Sequence, residues 1–128
     1  PEFCCIMYGT NNDKSPKAIP PAMDDLLAIA RACAERGTVP IIATIPPRGF
    51  SDPDSKPEAG FNQAVTRMCR ENRLPIAYVF EAFQAQPDRR KLVCPDGVHL
   101  VEGGFTAAGQ AWGKTLRQVS YVLLDRPD

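Results

Sequence analysis

The chain is short of histidine, balanced in charge and free of long apolar runs. Each shortage excludes something. Fifteen basic residues offset fifteen acidic ones, at an isoelectric point near 7.0. That balance leaves no electrostatic footprint for nucleic acid or an anionic membrane. The densest basic run, Arg89-Arg90-Lys91, is short and reads as a solvated loop. No apolar stretch approaches the roughly 18 residues needed to span a bilayer. His99 is the only histidine, and no ligand spacing clusters around it, so neither a metal nor another cofactor is expected. The five cysteines (Cys4, Cys5, Cys33, Cys69, Cys94) are odd in number and form no CxxC pair. Most of them lie in apolar periodic segments, so buried free thiols are expected. This leans toward a reducing compartment or a secreted protein without disulfides. No GxGxxG or P-loop is present, and no acidic pocket pattern, which argues against a nucleotide-binding or receiver domain. No secretory leader is visible. The opening run reads as the start of a buried strand rather than a natural N-terminus. A leader could have been lost with preceding sequence, and localisation stays open.

What is present suits one globular domain. Apolar residues at 44% can build a core, and 128 residues leave little room for a second. Residues 3–8 form a near-continuous apolar run, as expected of a strand covered on both faces in a parallel sheet. Pro20 and Pro21 open a helix carrying Met23, Leu26, Leu27, Ala30, Cys33 and Ala34 at helical spacing, with Gly37 placed to end it. A second strand is expected over 39–45, stopped by Pro46-Pro47. Residues 48–57 come next as a surface loop. Phe61, Ala64, Val65, Met68 and Cys69 mark a second helix, ending near Asn72. A third strand is expected over 75–80, then mostly loop to Gly97. A last helix runs over 103–124, with Phe105, Ala108, Trp112, Leu116, Val119 and Leu123 on one face. Strand and helix alternate, which implies an α/β fold: a three-layer α/β/α parallel sheet. Sites in such sheets gather at the carboxyl ends of strands. The loops beginning at Gly9, at Pro46 and beyond the third strand should therefore open on one edge.

His99 carries the chemistry if any residue does. Asp96 lies three positions earlier, with Gly97 between, so the chain can turn and bring carboxylate to imidazole. An acceptor on Nδ1 fixes the tautomer, leaves Nε2 as a base and stabilises the imidazolium. Pro95-Asp96-Gly97 is equally a good turn sequence in its own right. Asn11, beyond the first strand and just after Gly9, offers an amide donor to a cleft; its alternative is an Asx-turn or helix cap. Cys94 is a chemically sensible thiol partner for a histidine, but so near its own Asp it would face away from the ring.

Together these motifs resemble the SGNH (GDSL-like) hydrolases. Gly9-Thr10-Asn11 is similar to their third sequence block, Gly-x-Asn-Asp. Asp96-Gly97-Val98-His99-Leu100 resembles the fifth, Asp-x-x-His. Gly103-Gly104-Phe105 and Ala107-Ala108-Gly109 are typical of the stretch between that block and the last helix, and the strand around Pro40 to Pro47 is typical too. The resemblance covers nearly the whole chain. It implies a flavodoxin-like fold and a serine ester hydrolase working through an acyl-enzyme, without a metal. His99 would be the general base, Asp96 its orienting partner and Asn11 an oxyanion donor. Gly9, Thr10 and Arg48 would border the substrate, a small-molecule or carbohydrate ester.

Two blocks of that family are missing: the Gly-Asp-Ser that holds the nucleophile, and the block supplying an oxyanion glycine. Asn12 also stands where the family usually has Asp. None of Ser15, Ser51, Ser55 and Ser120 lies after a strand in a Gly-Asp-Ser setting. The expectation is therefore a domain incomplete at its N-terminus, with the serine outside this chain. The alternative is a catalytically inactive SGNH-like fragment or a binding module. An uncovered edge beside the first strand should pair with the absent segment or with another copy of the chain. The loops 48–57 and 84–95, with Phe50 and Phe83, would line the cleft.

Overall fold

In a computed structural model of the chain, residues 2–48 and 56–124 are described. The expected loop over 48–57, with Phe50, Ser51 and Ser55, therefore lies mostly outside the described residues. Three strands, β1 (Phe3–Ile6), β2 (Val39–Ala43) and β3 (Ile76–Ala77), form one parallel sheet in that order. Helices alternate with them along the chain: α1 (Ile19–Ala34), α2 (Lys56–Glu71), α3 (Val79–Gln84) and α4 (Glu102–Leu124). Side chains alternate across a strand, and β2 shows what that alternation does. Ile42 points into a core with α1 and α2, built on Met23, Leu26, Ala30, Phe61, Val65 and Met68. Ile41 and Ala43 point the other way, into a core with α3 and α4 that contains Phe83, Ala107 and Ala108. Both faces are covered, so the architecture is the expected three-layer α/β/α sandwich.

Local signals explain most element ends. Pro20 and Pro21 fall in the first turn of α1, where a missing N–H costs nothing. Gly37, at φ +73°, ends α1: its N–H donates to the Ala34 carbonyl and that of Thr38 to Cys33. Arg73, at φ 55°, closes α2 in the same way, with Leu74 N–H donating to Cys69. Pro40 sits inside the central strand without harm. Val39 donates toward β1, whereas Ile42 and Thr44 donate toward β3. By parity the missing donor of Pro40 faces the β3 side, before that strand begins to pair.

Several expectations need correction. The first strand stops at Ile6, and Cys5 is exposed; β1 lies at one side of the sheet, not covered on both faces. The sequence suggests buried thiols, yet among the cysteines only Cys69 is buried. Its thiol is pushed up to about 12 by desolvation. The third strand ends at Ala77 instead of Phe80, because α3 begins there. Thr44, fully buried at the end of β2, accepts from the Phe80 N–H at 2.9 Å and donates to Glu81. A cap delivered from 36 residues away is invisible to local pattern. The segment 84–97 also holds a 3-10 turn, Arg89–Leu92. Finally, α4 keeps most of its expected face, with Ala108, Trp112 and Leu116 packed on the core, but not the first member of that face. Phe105 is 65% exposed, while Ala107, Ala108 and Thr115 are buried. Thr115 Oγ1 donates to the Ile76 carbonyl at 2.9 Å and fixes α4 on β3. Small residues let the helix come that close: a Cβ on Gly104 would lie 2.1 Å from the Leu92 carbonyl oxygen.

Candidate active site

The Asp96 segment is a small hairpin built by backbone bonds. Cys94 N–H donates to the His99 carbonyl at 2.7 Å, Gly97 N–H to the Cys94 carbonyl at 2.8 Å, and Val93 bridges Leu100. Gly97, at φ +71°, occupies the left-handed position of the turn. The two readings of Asp96 are both realised. Its Oδ1 accepts from the Val98 and His99 N–H groups at 2.8 and 3.0 Å, which is the turn. Its Oδ2 lies 2.7 Å from His99 Nδ1, which is the pair. The His99 bond, together with the two backbone donors, holds the Asp96 carboxyl down at about 2. It is therefore ionised throughout the neutral range. The imidazole side chain is 80% exposed, so Nε2 faces open space. Cys94 Sγ contacts the Leu100 carbonyl at 3.8 Å, so the thiol is engaged there and not with the ring.

Asn11 sits at the third position of a tight turn after β1, closed by Asn12 N–H donating to the Gly9 carbonyl at 3.1 Å. Gly9, at φ +119°, is buried on the ring of Phe61; a Cβ there would lie 2.4 Å from the ring tip. Arg48, from the loop after β2, donates to the Thr10 carbonyl at 3.1 Å and so joins the first two loops. Local pattern did not reveal Lys14. Its ammonium donates to the carbonyls of Thr10 (2.8 Å) and Asn12 (3.2 Å) and pairs with Glu58 at 3.7 Å. Both of those charged side chains are nearly buried, and burial pushes the Lys14 ammonium down against the pull of Glu58. The available signal was Glu58 on the core side of α2, an acid that needs a buried cation. Asn62, also buried, holds the Ile45 backbone through both its N–H and its carbonyl, at 2.8 and 2.9 Å.

The sheet orients these loops. The 9–12 turn and Arg48 lie beyond the carboxyl ends of β1 and β2. Toward its C-terminus α4 meets Val39 and Pro75, at the amino ends of β2 and β3, around one cavity with Val119 and Val122. Its N-terminus lies 13 residues above Thr115, or about 20 Å at 1.5 Å per residue. The His99 hairpin therefore stands on the carboxyl side of the sheet, with the other loops. Direct contact between His99 and Asn11 is not among the described interactions, and the Asn11 amide makes no hydrogen bond among the described residues. A cavity of about 650 Å³ between α2 and α3 contains none of Asn11, Asp96 and His99. Among the described residues, no group of acidic, histidine or cysteine side chains is placed to hold a metal. No described helix is long and apolar enough to cross a membrane.

No protein-family model and no curated protein matches this chain. Solved structures do. A lipase/acylhydrolase from Enterococcus faecalis superposes with a TM-score of 0.74 at 14% identity, over 88% of this chain and 59% of its own. A GDSL-like lipase from Bacteroides thetaiotaomicron gives 0.73 at 14%, over 93% and 63%. A catalytic mutant of an acetylxylan esterase from Geobacillus stearothermophilus gives 0.69 at 15%, over 90% and 59%. The chain has the fold of the SGNH acylhydrolases, and it spans about three-fifths of the length of these solved structures.

Proposed function

We propose that this chain supplies the base, its orienting carboxylate and one oxyanion donor of a serine ester hydrolase. The observation that carries the reading is the 2.7 Å Asp96–His99 contact with Nε2 left open, on the strand-end side that also bears Asn11. In this mechanism His99 Nε2 takes the proton of a serine hydroxyl as its oxygen attacks the ester carbonyl. Asp96 stabilises the resulting imidazolium, and the Asn11 amide donates to the oxyanion. Collapse expels the alcohol, which takes the proton from His99, and leaves an acyl-enzyme. Water then attacks with the same base. The serine lies outside this chain. Gly9, Thr10 and Arg48 line the substrate, an acetyl or other short acyl ester on a polar alcohol such as a carbohydrate. The polar loops around Arg48 and the acetylxylan esterase among the structural neighbours support that choice.

The test is a fluorophosphonate probe and p-nitrophenyl acetate hydrolysis on the protein with its preceding region. Labelling of a serine, and loss of turnover in His99→Ala, are expected; full activity in that variant would sink the assignment. The second reading, a binding module without catalysis, is favoured by one observation: no hydroxyl or thiol among the described residues is hydrogen-bonded to the His99 ring. Absence of any Gly-Asp-Ser-like block ahead of this sequence in its gene would decide for it.

A further inference from the structure

We propose that Lys14 is a positioning residue that sets the direction of Asn11 by choosing the conformation of the 9–12 turn; its catalytic consequence rests on the esterase reading above. A four-residue turn has a soft point, the peptide between its second and third residues. Turning that peptide over interconverts types I and II at little cost to the flanking chain. The type II form requires positive φ at the third position. In most turns an L-residue there closes off type II. Here the third residue is Asn11, and asparagine is among the few side chains that tolerate positive φ. The sequence therefore leaves this turn free to flip, and a flip would re-aim both the Asn11 amide N–H and its side chain.

The structure removes that freedom with two cations. The carbonyl of the soft peptide belongs to Thr10, and it accepts from Lys14 Nζ at 2.8 Å and from Arg48 Nη1 at 3.1 Å. Both lone pairs of that oxygen are occupied. Lys14 also takes the Asn12 carbonyl, so it grips the chain on each side of Asn11. Its remaining donor faces Glu58 of α2. The ammonium thus spends two protons on carbonyls and faces the Glu58 carboxylate as an ion pair at 3.7 Å. Asn11 accordingly stays off positive φ, a region that only Arg73 enters among the described non-glycine residues. Across a trans peptide N–H and C=O point oppositely. With the Thr10 carbonyl turned to the cations, the Asn11 N–H is turned away from them. Lys14 is the stronger half of the clamp: it holds two carbonyls and pairs with Glu58, whereas Arg48 holds one carbonyl among the described residues.

Removing Lys14 alone would strand the buried Glu58 carboxylate, so the test uses Lys14→Met combined with Glu58→Gln, against Glu58→Gln alone. On the protein with its preceding region, NMR relaxation dispersion and the HN–Hα coupling of Asn11 report the turn. Exchange at Asn11 and Asn12, and a coupling shifted toward positive φ, are expected only without Lys14. In the active hydrolase the same change should lower kcat about 10- to 100-fold, the size of a misplaced donor, with KM little altered. That loss should vanish when Asn11 is already Ala, a dependence that a merely stabilising lysine would not show. An unaltered turn in the folded double variant overturns the clamp. A kcat loss that persists undiminished with Asn11→Ala overturns its link to catalysis. If Asn11→Ala itself leaves kcat intact, the esterase reading fails, and the NMR comparison still judges Lys14.

Discussion

Replacing Gly9 by alanine should cost the fold about 3 kcal/mol, through two separable effects. The added Cβ would stand 2.4 and 2.5 Å from two ring atoms of Phe61. Ordinary carbon contacts lie near about 3.5–4.0 Å, so the ring must retreat by about 1 Å. Phe61 is fully buried in the core with Val65 and Ile42. Overpacking of this kind costs about 1–3 kcal/mol. The second effect is conformational: φ +119° is closed to L-residues, and holding alanine there costs about 1–3 kcal/mol more. For a domain of 128 residues each kcal/mol is worth about 4 °C, so the melting midpoint should fall by about 12 °C. Guanidinium melts of Gly9→Ala, Phe61→Leu and the double variant separate the two effects. Shortening Phe61 removes the ring tip, so in that background Gly9→Ala should retain only its conformational share, about 1–3 kcal/mol. A cost below about 0.5 kcal/mol, or the same cost in both backgrounds, would refute the close approach of turn and ring.

Three further outcomes are expected. Asp96→Asn should lower kcat by about 10³–10⁴ if His99 is the base, because the amide favours the wrong tautomer. Its pH signature is independent of turnover. The Asp96 carboxyl is held at about 2, below its unfolded value, so its stabilisation is complete above about pH 4 and disappears as pH falls through about 2. Melting midpoints of wild type and Asp96→Asn should converge across that window; parallel curves would contradict the pairing. Gly104→Ala places a Cβ 2.1 Å from the Leu92 carbonyl, which accepts from Val101 just behind the His99 hairpin. It should destabilise by about 1–3 kcal/mol and broaden the His99 ring signals in NMR spectra; sharp, unshifted signals would argue against that contact. Finally, β1 has only β2 beside it among the described residues, with Cys5 exposed. An unpaired strand edge invites association. The 128-residue chain alone should therefore oligomerise in light scattering, and a monodisperse, cooperatively unfolding monomer would count against it.

The layered α/β order was legible because it is written in local periods. Apolar residues alternate between runs and helical spacing, and Pro20, Pro21 and Gly37 punctuate them through their own backbone limits. The Asp96–His99 pair was legible for the same reason: a short turn suffices to join carboxylate to imidazole. Features that depend on distant partners were not legible. The end of β3 was misplaced because Thr44 caps α3 across the sheet, and no window over 75–80 contains it. On α4 only Phe105 was misplaced among the described residues, because Thr115 and Gly104 answer to Ile76 and Leu92, so closeness to β3 outweighed the bulk of Phe105. Gly9 looked like a mere turn residue until Phe61 appeared beneath it. The sequence by itself determined the fold class and the local carboxylate–imidazole contact, since both rest on neighbours along the chain. Only the tertiary structure decided how Asn11 is held, because Lys14, Arg48 and Glu58 meet around its turn through folding alone.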